Sequence, residues 1–114
     1  MKIAHRQFIQ QHTILDLTRP SLEGLAYILR HKELWPKNFE WEFYRCDRCA
    51  MGLAYRLWRG IKSPEFQIMA DRFYMEKMDA YRIFIIGTKE GDPVTPERVA
   101  RRIEEYLAQR QEGK

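Results

Sequence analysis

Cysteine is scarce in this chain, with two in 114 residues, Cys46 and Cys49. Long apolar runs are missing as well. No stretch approaches the roughly 20 residues that a membrane-spanning helix needs. The N-terminus, Met1-Lys2-Ile3-Ala4-His5-Arg6-Gln7, has neither the apolar block nor the small-residue cleavage site of a secretory signal. A cytoplasmic protein with no membrane association is therefore expected. In that compartment the two cysteines are expected as thiols rather than as a structural disulfide. Catalytic signatures are absent too. There is no phosphate-cradling glycine loop, no His-Glu-x-x-His, no Gly-x-Ser-x-Gly and no pair of acids at a catalytic spacing. The expectation is a protein that is not an enzyme, with no catalytic residues, no cofactor and no metal.

What is present favours a folded domain. Apolar residues make up 45% of the chain, which argues against disorder. Three Trp, six Tyr and six Phe can bury much area for so short a sequence. The net charge of +4 is too small to imply nucleic acid by itself. Its distribution says more. Residues 37–62 carry six Lys/Arg against three Asp/Glu, whereas residues 91–114 carry five against five. The basic excess therefore gathers around the cysteines.

Residues 1–17 fit neither the helical nor the strand period and are expected as an arm or a short helix. Residues 18–111 are expected as a single helical domain. Thr18 is placed to cap a helix with Pro20 in its first turn, followed by Leu22, Leu25, Ala26, Ile28 and Leu29 at helical spacing, up to Pro36. Phe39, Trp41 and Phe43 alternate with polar residues, which predicts one face of an extended strand. A helix from about Cys46 to Ile61 follows. Ser63-Pro64-Glu65 predicts the start of the next, with Phe66, Met69, Ala70 and Phe73 as its buried stripe. Asp79 is expected to cap a short helix through Ile86, although Ile83-Phe84-Ile85-Ile86 has the composition of a strand. Gly87 suits a cap, Gly91-Asp92-Pro93 a turn, and Thr95-Pro96-Glu97 the opening of a last helix that buries Val99, Ile103, Tyr106 and Leu107. The fold class is mainly α: a small compact domain of four to five helices with at most one or two short strands.

The segment from Arg45 to Arg59 concentrates the chemistry. On a helical wheel, Cys46, Ala50, Leu53, Ala54, Leu57 and Ile61 share one side, with Cys49 at its edge. Arg48, Arg56 and Arg59 lie opposite, Arg45 and Lys62 extend that side, Gly52 falls among the arginines and Tyr55 sits beside them. One reading is a solvated basic face over an apolar core. Gly52 resists it, since glycine in an exposed helix costs about 1 kcal/mol relative to alanine; it suits close approach by another backbone or a ligand. The functional reading is a docking stripe of Arg45, Arg48, Gly52, Tyr55, Arg56 and Arg59 for an acidic protein surface, with nucleic acid as the alternative.

The cysteines keep several readings open. Cys-x-x-Cys opening a helix is the local arrangement of a thiol redox pair. It also has acceptable ligand spacing for a metal site completed by two of His5, His12 and His31. A nucleophilic cysteine would need a histidine and an orienting acid or amide brought to it. Otherwise both are small buried hydrophobes, Cys46 more so than Cys49. His31 suits a cap-like role near a helix C-terminus. Trp35, Trp41 and Trp58 are expected in or around the core; a ring exposed beside the arginines would instead mark an interface.

Leu34-Trp35-Pro36, Phe39-Glu40-Trp41 and Cys46-Asp47-Arg48-Cys49-Ala50-Met51-Gly52-Leu53-Ala54 resemble segments of small bacterial and prophage-type proteins with no activity assigned to the group. Asp79-Ala80-Tyr81-Arg82-Ile83-Phe84 and Val94-Thr95-Pro96-Glu97 resemble the later parts of the same proteins, so the resemblance spans about residues 20–110. It implies helix rather than strand at 79–86 and transfers no catalytic residue. A regulatory or accessory module that docks on a host machine, as phage or mobile-element proteins do, or a subunit of a larger assembly, is the function expected. A protein partner is expected ahead of nucleic acid.

Overall fold

A computed structural model of the chain describes residues 9–10, 13–86 and 94–112. Among these are five α-helices: α1 (Leu22–Leu29), α2 (Ala50–Leu57), α3 (Phe66–Phe73), α4 (Lys77–Tyr81) and α5 (Pro96–Glu112). A 3-10 turn, Lys32–Leu34, follows α1, and a π-helical turn, Arg82–Ile86, continues α4. The mainly-α class is as the periodicity predicts. The described strands are two residues each, Ile9–Gln10 (β1) and Thr13–Ile14 (β2), paired antiparallel with Ile9 opposite Ile14. A short ladder thus stands there instead of a helix. The radius of gyration, 13.4 Å, is that of a compact chain of this length.

The apolar stripes build the core. Leu22, Leu25, Ala26, Ile28 and Leu29 of α1 are all buried, and α1 packs along α5, whose Val99, Ala100 and Ile103 are buried in the same core. Met69, Ala70 and Phe73 of α3 join them, with Phe66 partly buried against the cluster. Leu25, Met51, Leu53, Met69, Phe84 and Ile103 are among the largest fully buried side chains. Each contributes about 1.5–3 kcal/mol relative to exposure. Leu17 also belongs to this core, and its carbonyl accepts the Trp58 indole N–H at 3.1 Å.

Helix boundaries depart from expectation where a local hydrogen bond competes. Ser21, not Thr18, caps α1: its extended backbone lets the hydroxyl accept from the Gly24 N–H at 2.9 Å. Thr18 instead bonds Asp16 Oδ1 at 2.6 Å. At the other end, α1 stops at Leu29 and the 3-10 turn intervenes before Pro36. Glu65, not Ser63, stands at the start of α3, where its carboxylate accepts from the Ser63 hydroxyl at 3.0 Å. Asp79 lies inside α4, beside Arg82 at 3.5 Å, and Glu76 occupies the capping position. The helix α3 ends at Tyr74, held in the left-handed region at φ 58°. Residues 77–86 are helical throughout and not a strand. Thr95 caps α5 as expected, accepting the Arg98 N–H at 3.2 Å.

The strand expected at Asn38–Tyr44 does not form. Asn38 turns left-handed at φ 69°, the Phe39 N–H closes on the Pro36 carbonyl at 3.1 Å, and no described strand lies alongside to pair with. An unpaired strand would leave its backbone groups without partners. The alternation survives all the same: Phe39 is buried, Trp41 and Phe43 are half-buried, and Glu40, Glu42 and Tyr44 are exposed.

Candidate functional site

The largest correction concerns the segment that holds the cysteines. Residues 46–48 form a turn, and the helix begins only at Ala50 and ends at Leu57. The Arg48 N–H donates to the Arg45 carbonyl at 3.0 Å, and the Arg48 carbonyl accepts from the Glu42 N–H at 2.8 Å. The turn folds back onto α2. A Cβ added to Gly52 would lie 2.3 Å from the carbonyl carbon of Asp47 and 2.4 Å from its oxygen. Gly52 is therefore buried beneath the chain's own turn and does not belong to an exposed stripe. The close approach that glycine permits is used internally.

The arginines consequently do not share one helix face. Arg45 and Arg48 stand in the turn before α2, Tyr55 and Arg56 on its exposed side, and Arg59 in the turn after it. Two of the four carry their own carboxylates. Arg45 meets Asp47 at 3.2 Å, which holds the Asp47 carboxyl below its ordinary range, the hydrogen bond being the larger cause. Arg48 meets Glu40 at 3.7 Å. Arg56 donates to the Lys37 carbonyl at 3.3 Å and lies 5.8 Å from the centre of the Phe39 ring. Tyr44 and Tyr55 expose large fractions of their rings nearby in sequence, 79% and 46%.

Cys46 is exposed and Cys49 buried, the reverse of the wheel's ranking. Cys49 occupies the position before α2, and its Sγ donates to the Cys46 carbonyl at 3.6 Å. Burial pushes the Cys49 thiol up from its ordinary pKa. No cluster of three or more His, Cys, Asp or Glu residues able to hold a metal occurs among the described residues. His31 stacks on Tyr27 with ring centres 4.0 Å apart, and its Nδ1–H donates to the Tyr27 carbonyl at 2.7 Å, the cap-like role expected of it. His5 and His12 lie outside the described residues, as do Gly87 and the Gly91-Asp92-Pro93 turn.

Beside the arginine segment is a groove of about 430 Å³ lined by Leu29, Trp35, Phe39, Trp41 and Pro96, with Arg30, Lys32, Glu40 and Glu97 completing its wall. Each of its indoles is fixed by a hydrogen bond to a main-chain carbonyl. Trp35 donates to the Ile28 carbonyl at 2.8 Å, and Trp41 to the Val94 carbonyl at 2.8 Å. Trp35 meets Phe39 edge to face at 5.4 Å and Trp41 at 6.4 Å. Arg30 is held by both carboxylate oxygens of Glu104, each at 2.9 Å, and that bond raises its pKa. By sequence these tryptophans are expected only in or around the core. The signal available was that Trp35, Phe39 and Trp41 cluster just before the arginines.

Groove and segment are continuous. Glu40 lines the groove and meets Arg48; Phe39 lines it and lies beneath Arg56. No helix among the described residues is long and apolar enough to cross a membrane. Comparison with protein-family models, with curated proteins and with solved structures finds no match to this chain.

Proposed function

We propose that this chain is a small binding module whose partner is a protein segment that is acidic and carries an apolar anchor. The observation that carries this reading is the junction of the Trp35–Phe39–Trp41 groove with the arginine segment through Glu40–Arg48 and Phe39–Arg56. Trp, Tyr and Arg dominate the energetics of protein interfaces, around a pocket that accepts an apolar side chain. Indoles held by main-chain carbonyls are pre-organised, which lowers the ordering cost of binding. The pairs Arg45–Asp47 and Arg48–Glu40 are exposed and screened by solvent, so exchanging them for a partner's carboxylates costs little. The sequence resemblance to prophage-type proteins is compatible with a regulatory role on a host assembly.

Nucleic acid is the weaker reading. Phosphate binding draws on a row of uncompensated Lys and Arg. Here Asp47 stands between Arg45 and Arg48 and pairs with the first, and Glu40 pairs with the second. Capture from native extract, compared between the wild type and a Lys32→Glu, Tyr55→Ala, Arg59→Glu triple variant, tests the proposal. These three side chains are exposed, so the variant is expected to keep its melting temperature and lose the partner. Undiminished capture overturns the assignment of the surface. A gel-shift complex at low salt that dissolves steeply as salt rises would move the assignment to nucleic acid.

A further inference from the structure

The Cys46–Cys49 pair plays no part in the proposed binding surface, yet its placement is specific. Cys46 is exposed on the 46–48 turn, and Cys49 is buried three residues on, at the entry to α2. The Cys49 Sγ is held 3.6 Å from the Cys46 carbonyl oxygen, so the buried thiol rests against the backbone of the exposed one. A turn keeps residues three apart within about 7 Å, which overlaps the separations of about 4.4–6.8 Å that a disulfide bridges. The turn is fixed in place because the Asp47 main chain packs on Gly52.

We propose that Cys46 and Cys49 form a thiol–disulfide exchange site for low-molecular-weight disulfides, with Cys46 as the attacking thiol and Cys49 as the resolving one. The Cys46 thiolate attacks one sulfur of a small disulfide. A mixed disulfide forms, the original S–S bond breaks, and one thiolate leaves. Cys49 then gives its proton to that thiolate or to water and attacks the Cys46 sulfur. The Cys46–Cys49 bond forms and the second small thiolate is released, to be protonated from solvent. Two protein thiols are oxidised to one disulfide and one small disulfide is reduced to two thiols. Access separates the two roles, since only Cys46 meets solvent. Burial, which holds Cys49 in its neutral form, keeps it from competing in the first step.

The full chain, reduced and then exposed to glutathione disulfide, tests the assignment by alkylation and mass spectrometry of peptides. In the reduced folded protein, Cys46 is expected to alkylate about ten-fold or more faster than Cys49. The oxidised protein is expected to lose two hydrogens and carry an intramolecular Cys46–Cys49 bond. Cys49→Ala, an apolar replacement suited to the buried site, is expected to stop at the glutathione mixed disulfide on Cys46. Cys46→Ser is expected to form no mixed disulfide over the same period. A wild-type protein that accumulates the mixed disulfide without closing it overturns the proposal, as does equal alkylation of the two thiols in the folded chain.

Discussion

Replacing Gly52 with alanine separates two accounts of α2 by the sign of the effect. On an exposed helix face, Gly→Ala removes a backbone entropy cost and stabilises by about 1 kcal/mol. Here the new methyl would meet the main chain of Asp47, with contacts of 2.3, 2.4 and 2.9 Å to its carbonyl carbon, oxygen and Cα. Those atoms belong to a turn tied down by Glu42–Arg48 and Arg45–Arg48 backbone bonds, so relief requires the turn to move as a unit. Overpacking of this kind costs about 1–3 kcal/mol, and rigid backbone on the far side puts Gly52 at the upper end. Subtracting the propensity gain leaves a net loss of about 1–2 kcal/mol. For a domain near this size, that lowers the melting temperature by about 4–8 °C. Urea unfolding followed by tryptophan fluorescence gives the free energy directly. Gly60→Ala serves as control. Its added methyl meets only the flexible Arg72 guanidinium, at 3.2 Å, and the expected change is within about 0.5 kcal/mol. A Gly52→Ala protein as stable as the wild type, or more so, would refute the packing of the turn on α2.

Ser21→Ala removes the hydroxyl that caps α1 and should cost about 0.5–2 kcal/mol in chemical denaturation, whereas Thr18→Ala should cost less. Tyr74→Gly should stabilise by about 0.5–1 kcal/mol, because the left-handed backbone is released from its side-chain penalty and an 84% exposed ring gives up little packing; a loss of stability in the same melt would contradict this. Cys49 is held neutral by burial, so its folded pKa stands above its unfolded one. Its contribution is complete below the unfolded value of about 8.5 and is lost as pH rises through the folded value. Unfolding free energies measured from pH 7 to 10.5 should therefore fall less steeply for Cys49→Ala than for the wild type.

The helical core was legible because its stripes repeat over whole helices. Leu22 to Leu29, Met69 to Phe73 and Val99 to Ile103 each bury the face that their spacing defines. Competition between neighbours was not legible. Thr18 and Ser21 are equivalent caps by type, and only the Asp16 side chain, which engages Thr18, decides between them. Phe39, Trp41 and Phe43 alternate correctly, but a strand is defined by its neighbour and this segment has none described. A helical wheel misplaces Cys46 and Cys49 because the helix begins only at Ala50, four residues later than its period suggests. That error moved Gly52 to the surface and reversed the two cysteines. The groove was invisible for a different reason: Leu29, Trp41 and Pro96 meet only through the packing of α1 against α5.

Peptide-display selection on the immobilised full chain tests the proposed binding surface most directly. The expected result is enrichment of acidic sequences around one large apolar residue, with binding lost in the Lys32→Glu, Tyr55→Ala, Arg59→Glu variant. Enrichment of basic sequences, or selected peptides that bind the variant as well as the wild type, would contradict it.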